Sequence, residues 1–231
     1  METIPELFVI RIGLALGMLA IGGFFDIWKR EVHDYLWIIF GVAGAVLLIF
    51  EPFQTEMIHT ILFALIIAPI SIIIWRMGLF GGADAFALIA LAVIAPHMTL
   101  TENIVTPMTT LSNAAILFVI PLTINLVRNA LSLLRKEEIF EGFDETTPRK
   151  ILACFMGYRA KNPKHGFSIE RKKGKKKKIS FAFHHAENEI FAIKPNTWIT
   201  PGIPYLLLII GGFVIQLVYG DMILMWLGMN S

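Results

Sequence analysis

The chain has 231 residues, 56% of them hydrophobic and 16% charged, with a mean hydropathy of +0.68 and a formal net charge of +2. A soluble domain of this size seldom carries that balance, so the composition points to a membrane protein. The one cysteine, Cys154, excludes a disulfide framework within the chain and a four-cysteine zinc site.

The first residues, METIPELFVI, are acidic where a secretory signal is basic, and no small-residue cleavage site follows, which reads as a permanent anchor. Six apolar segments then run over 7–25, 35–50, 57–77, 84–98, 111–134 and 201–227. A helix needs about 20 residues to cross about 30 Å of hydrocarbon. The first, third, fifth and sixth segments reach or approach that length. The second and fourth are short, and Pro96 interrupts the fourth.

The cations set the orientation. Lys29 and Arg30 follow the first segment, Arg76 ends the third, and fifteen of the twenty Lys and Arg lie in 135–200. The intervening loops, 1–6, 51–56, 99–110 and 228–231, contain neither residue. This alternation predicts six spans with both termini outside. In the polar region 135–198, DETTPRKILACFMG predicts a short helix with Thr147 as N-cap and Pro148 at the first helical position. FMGYRA, GFSIERK, KISFAFHHA and EIFAIKP read as strands, with Ile179, Phe181, Phe183 and His185 on one face and turns at KKGKK and AEN. The expected fold is therefore an all-α polytopic membrane protein of six transmembrane helices. A small cytoplasmic antiparallel β-domain is inserted between helices five and six. The corresponding divisions are 1–134, 135–198 and 199–231.

Two aspartates share an address in this scheme. Asp26 lies at the cytoplasmic end of the first span, in IGGFFDIWKREVHDYLW, and Asp84 at the cytoplasmic start of the fourth, in GLFGGADAFALIA. A carboxylate beside apolar sequence is costly unless paired or wetted. Two at one depth can share a proton and activate water, which is the requirement of an aspartic protease. Plainer roles stay open: Asp84 and Asp34 each precede an apolar run as an N-cap would. Asp26 fits a cap less well, because it ends a helix whose C-terminal dipole disfavours negative charge, and Lys29 or Arg30 would have to offset it. Gly81 and Gly82 let the backbone bend or let another chain approach.

GGAD before an apolar helix, together with DIWKREVHDYLW after the first, resembles the GxGD membrane aspartyl proteases. Within them it is most similar to the archaeal preflagellin peptidases, relatives of the type IV prepilin peptidases. WITPGIPYLLLIIGG resembles the family's start of the final span. The resemblance implies Asp26 and Asp84 as the catalytic pair, with Gly81, Gly82 and Ala83 as the motif beside them. Ala83 departs from the family's Gly, which puts the backbone path before Asp84 in question. The resemblance also implies an endopeptidase that removes a short basic leader from archaellin or pilin-like precursors at the cytoplasmic membrane face. Glu31, Asp34, Glu137, Glu138, Glu141, Asp144 and Glu145 near that face would attract such a leader, or form an ordinary solvated surface.

No metal or other cofactor is expected. The histidines lack chelating spacing, the adjacent pair His184 and His185 would face opposite sides of a strand, and one cysteine cannot build the paired-cysteine metal domain of bacterial relatives. The cationic run 170–178 suits a solvated hairpin tip or anionic lipid headgroups. It lacks the interleaved aromatics of a nucleic-acid surface. Arg11 is expected to snorkel outward or meet Glu6, Arg128 to pair with a carboxylate, Asp221 to lie far from the aspartate pair, and Cys154 to be buried. Two further readings compete: a transporter or channel handling cations or protons at Asp26 and Asp84, and a non-catalytic assembly factor. A transporter site usually lies near midplane between repeated halves, and this sequence has no repeat.

Overall fold

The computed structural model describes residues 5–163, 166–173, 176–181 and 191–229. The chain forms two units, Met1–Leu117 with Pro204–Ser231, and Phe118–Ile203. It is mostly helical with a small antiparallel sheet. Among the described residues, three helical stretches are long and apolar enough to cross a membrane: Glu6–Lys29, Gln54–Arg76 and Thr109–Leu134, of 24, 23 and 26 residues. At 1.5 Å per residue they reach about 34 to 39 Å, more than a hydrocarbon core of about 30 Å.

The first unit is built around α5 (Gly82–Ile94). Its sequence GADAFALIALAVI offers mostly small apolar side chains, and nine of its 13 residues are buried. Around it pack α1 (Pro5–Lys29), α2 (Asp34–Val46), α3 (Gln54–Ala64), α4 (Ile67–Arg76) and α9 (Tyr205–Tyr219). A short 3₁₀ turn, Leu47–Phe50, extends α2. Met18, Leu19, Trp37, Ile67, Leu88 and Phe213 are among the core side chains. α6 (Thr109–Leu117) lies against α9, where Gly212 sits so close to the backbone of Thr110 and Ala114 that a side chain would not fit. Small residues are how helices approach closely in lipid.

The sixth apolar segment, expected to reach spanning length, is shorter than that. α9 ends at Tyr219, Gly220 turns the chain with φ 74°, and a separate α10 (Met222–Trp226) follows. Asp221 stops the run. Its carboxylate accepts from the amides of Ile223 and Leu224 at 3.0 and 3.1 Å and from the Thr109 hydroxyl at 2.8 Å.

Arg11 neither snorkels nor meets Glu6. It is fully buried, its Nε 2.8 Å from Glu51 Oε1 and its Nη1 donating to the Ile94 carbonyl at 2.9 Å. α1 thus caps the carbonyl end of α5, whose last acceptors have no partner within the helix. The reason is reach: Glu51, in the turn after α2, brings an acid to the depth of Arg11, so the charge is balanced inside, with Nε and Nη1 bonded and Nη2 buried without a partner among the described residues.

The second unit begins with α7 (Val119–Leu134), followed by α8 (Thr147–Met156). The cap of α8 is Thr146, one residue earlier than expected, with Pro148 in the first turn. Asn129 donates to the carbonyls of Cys154 and Gly157 at 3.0 and 2.7 Å, and Asn125 to that of Phe155 at 3.1 Å. These two asparagines tie α8 to α7. Cys154 is buried, and burial pushes its thiol pKa up. β1 (Tyr158–Ala160) and β2 (Gly166–Ser168) flank β5 (Thr197–Pro201) in an antiparallel sheet. β3 (Glu170–Lys173) and β4 (Lys176–Ile179) form an antiparallel hairpin.

The central strand is TWITP, a segment not expected as a strand. Trp198 anchors it, fully buried, stacked on Phe140 at 4.8 Å and donating to the Ile139 carbonyl at 2.7 Å. Phe191–Pro195 run beside the sheet without joining it as a strand. The expected placements of Phe183, His184, His185 and the AEN turn, and the tip of the KKGKK turn, fall outside the described residues. Arg128 lies over the Tyr158 ring at 3.6 Å and pairs with no carboxylate among the described residues.

Glu51→Gln leaves the Arg11 guanidinium buried without a counter-charge. It is expected to cost about 3–5 kcal/mol, read as a lower thermal unfolding midpoint in detergent. Arg11→Met combined with Glu51→Leu is expected to recover most of that loss.

Candidate active site

Arg11 meets the C-terminal end of α5, so α1 and α5 run antiparallel, and the last turn of α1 arrives at the first turn of α5. Asp26 is in that last turn and Asp84 in that first turn. The expected pair is therefore brought to one end of the first unit. The charge on Asp26 acts on Asp84, so the two side chains are within electrostatic reach of each other.

Their surroundings differ. Asp84 is 7% exposed, and its Oδ2 accepts from the Gly81 amide at 2.8 Å. It is the third residue of the helix, and Gly81 holds the cap position with φ −81° and ψ 167°. Asp84 is thus not the N-cap that sequence allows. It reaches back to the cap amide, and the positive end of the helix dipole favours its charge. Asp26 is half-buried, with the charge of Arg30 acting on it. Lys29 turns away over the rings of Phe25 and Trp28, at 5.7 and 5.2 Å.

Glycines set the spacing. One turn before Asp26, a Cβ on Gly22 would come within 2.9 Å of Trp37 and 3.1 Å of Leu206. A Cβ on Gly23 would come within 2.6 Å of Ile210. α2 and α9 therefore press against α1 just below the carboxylate. α9 adds Tyr205, whose ring stacks on Phe80 at 5.3 Å and whose hydroxyl feels the charge of Asp84. Sequence reading passed over Tyr205. The available signal was its place directly after PGIP, at the mouth of the last apolar segment.

The remaining expected residues fall around this cluster. Gly81 and Gly82 form the entry to α5, and Ala83 is its second residue, packed against the core. Among the described residues, positive φ at glycine occurs at Gly78, Gly142, Gly220 and Gly228, none of them in GGAD. Alanine at position 83 therefore needs no unusual backbone. Glu31 and Asp34 are exposed, Asp34 as the first residue of α2 with His33 at the cap.

Two carboxylates of this kind can divide one proton between them. One is then a base and the other an acid toward a water held between them.

Two family models match the chain. The type IV leader peptidase family covers residues 13–124, which include both aspartates, and the archaeal peptidase A24 C-terminus type II covers residues 164–222. The chain is also similar to the preflagellin peptidase of Methanocaldococcus jannaschii, 23% identical over 227 residues, with 91% of this chain and 93% of the relative covered. It is 28% identical over 225 residues to the preflagellin peptidase of Methanococcus maripaludis, covering 91% and 94% of the two chains.

Ala83→Gly is expected to cost no more than about 1 kcal/mol, the helix-propensity difference. Gly22→Val, which drives a branched side chain into Trp37 and Leu206, is expected to lower the unfolding midpoint by several degrees more. Paired thermal melts in one detergent check both.

Proposed function

The chain belongs to the type IV leader peptidase family and is a protease, and from that premise we propose an integral-membrane aspartyl endopeptidase acting through Asp26 and Asp84. The substrates proposed are preflagellin and similar pilin-like precursors, cut after a short basic leader. The observation that supports this is that α1 and α5 run antiparallel, with Asp26 half-buried in the last turn of one and Asp84 buried in the first turn of the other.

On this reading a water lies between the two groups. The ionised carboxyl takes a proton from it as its oxygen adds to the scissile carbonyl, and the protonated carboxyl gives its proton to the carbonyl oxygen. The tetrahedral diol then collapses. The first carboxyl passes its proton to the leaving nitrogen, and the second recovers one from the diol, so the pair ends as it began. The two titrate as a unit. Gly81, Gly82 and Ala83 lie where an extended substrate would pass Asp84, and a small side chain there leaves room for it. Glu31 and Asp34 offer exposed negative charge to a cationic leader.

We further propose six spans, with both termini outside and the aspartates at the cytoplasmic face. The alternation of cation-rich and cation-free loops supports this. So do the three shorter apolar helices, Asp34–Phe50, Gly82–Ile94 and Tyr205–Tyr219, beside the three long ones.

Co-expression with a precursor bearing a basic leader tests the reading. Asp26→Asn and Asp84→Asn are each expected to reduce cleavage by about 10²-fold or more while the protein still enters the membrane. Full processing by either variant would refute the assignment.

A further inference from the structure

We propose that the groove along α7 and β1 is a seat for one anionic phospholipid of the surrounding membrane. The groove has a volume of about 870 Å³ and is lined entirely from the second unit.

α7 is inside out for a soluble helix. Its polar residues Asn125 and Asn129 face inward and are spent on α8, as described above. Its outer face carries Ile120, Ile124, Val127 and Leu131, 55%, 60%, 52% and 48% exposed, and all four line the groove. Their spacing of four, three and four residues makes one continuous stripe. It extends about 16 Å along the axis, close to half of a hydrocarbon core of about 30 Å. That is the depth of one leaflet.

The same groove is cationic from the last turn of the stripe onward. Arg128 beside that turn, and Arg135, Arg159 and Lys161, line it against one acid, Glu137. Lys161 is 3.7 Å from Glu137 and Arg159 is 3.8 Å from Glu141. Arg128 and Arg135 form no ion pair among the described residues. Arg128 is held in place by the ring of Tyr158, an aromatic of the kind that sits at headgroup level.

An apolar stripe one leaflet long, with Arg128 in its last turn and Arg135 one turn beyond, neither of them in an ion pair among the described residues, matches an amphiphile with hydrocarbon chains and an anionic headgroup. A zwitterionic lipid lacks the net charge, a soluble anion leaves the stripe uncovered, and a basic peptide is repelled.

Native mass spectrometry of the full-length protein, from micelles with equal phosphatidylglycerol and phosphatidylcholine, tests this. The wild-type protein is expected to retain phosphatidylglycerol at least about tenfold over phosphatidylcholine. Arg128→Gln with Arg135→Gln is expected to bring the two to parity. Lys176→Gln with Lys178→Gln, on the hairpin, is expected to leave the preference intact. Should the double arginine variant lose its cooperative melt, Arg135→Glu alone, at an exposed position, decides by the same readout. Parity in the wild type, equal loss from the hairpin variant, displacement of the lipid by inorganic phosphate, or displacement by a basic-leader peptide would each overturn the proposal.

Discussion

The first unit depends on how α5 is held. Its flanks are alanine and aliphatic residues, which pack closely but have little direction. In lipid the hydrophobic effect does not drive helices together, so packing and polar contacts must do it. The directional contacts sit at the two ends. Arg11 donates to the Ile94 carbonyl at one, with Glu51 balancing its charge. Asp84 accepts from the Gly81 amide at the other. Gly44 lets α2 come so close that a Cβ there would lie 3.0 Å from the Ile94 Cα. The carbonyl end of α5 is thus fixed against α1 and α2, and the cap bond at the other end fixes the Asp84 carboxylate relative to its own helix.

This gives the aspartates unequal freedom. Asp84 is anchored by its own cap and by a helix most of whose residues are buried. Asp26 is three residues from the end of α1, where intrahelical hydrogen bonds run out, and Arg30 just beyond takes φ 58°. Under the proposed mechanism the buried acid is the fixed reference and the half-buried one adjusts to water and substrate. The glycines at 22 and 23 limit that adjustment, because Trp37, Leu206 and Ile210 already occupy the space a side chain would need.

The placement of Asp26 in the last turn of one helix and Asp84 in the first turn of another was legible because each is an acid at the edge of an apolar run. The helical character of the apolar segments was legible for the same reason. Arg11 was not, since its acid arrives from 40 positions away, after a second helix. Nor was the end of α9, where the stop is made by Asp221 bonding to α6 and not by the composition of its own run. The central strand was missed because Trp198 and its neighbours looked like the approach to a membrane segment. Only Phe140 and Ile139 beneath it reveal a core position. Ala83 raised doubt because glycine motifs suggest positive φ. The helix starts one residue earlier, at Gly82, and the question does not arise.

Hydropathy measures how apolar a segment is, and says nothing of which face is turned inward. α7 shows the difference. VIPLTINLVRNALSLL reads as one continuous apolar run, with Asn125, Arg128 and Asn129 as interruptions. In the fold these interruptions order the helix. The asparagines occupy the inner face because the carbonyl end of α8 needs donors, and an unmet carbonyl is costlier to bury than an amide side chain that meets it. Once that face is taken, the aliphatic stripe can only point outward. An outward aliphatic stripe suits a lipid environment, and water would disfavour it. The polar residues of such a helix are therefore evidence for its membrane setting, although in a composition average they count against it.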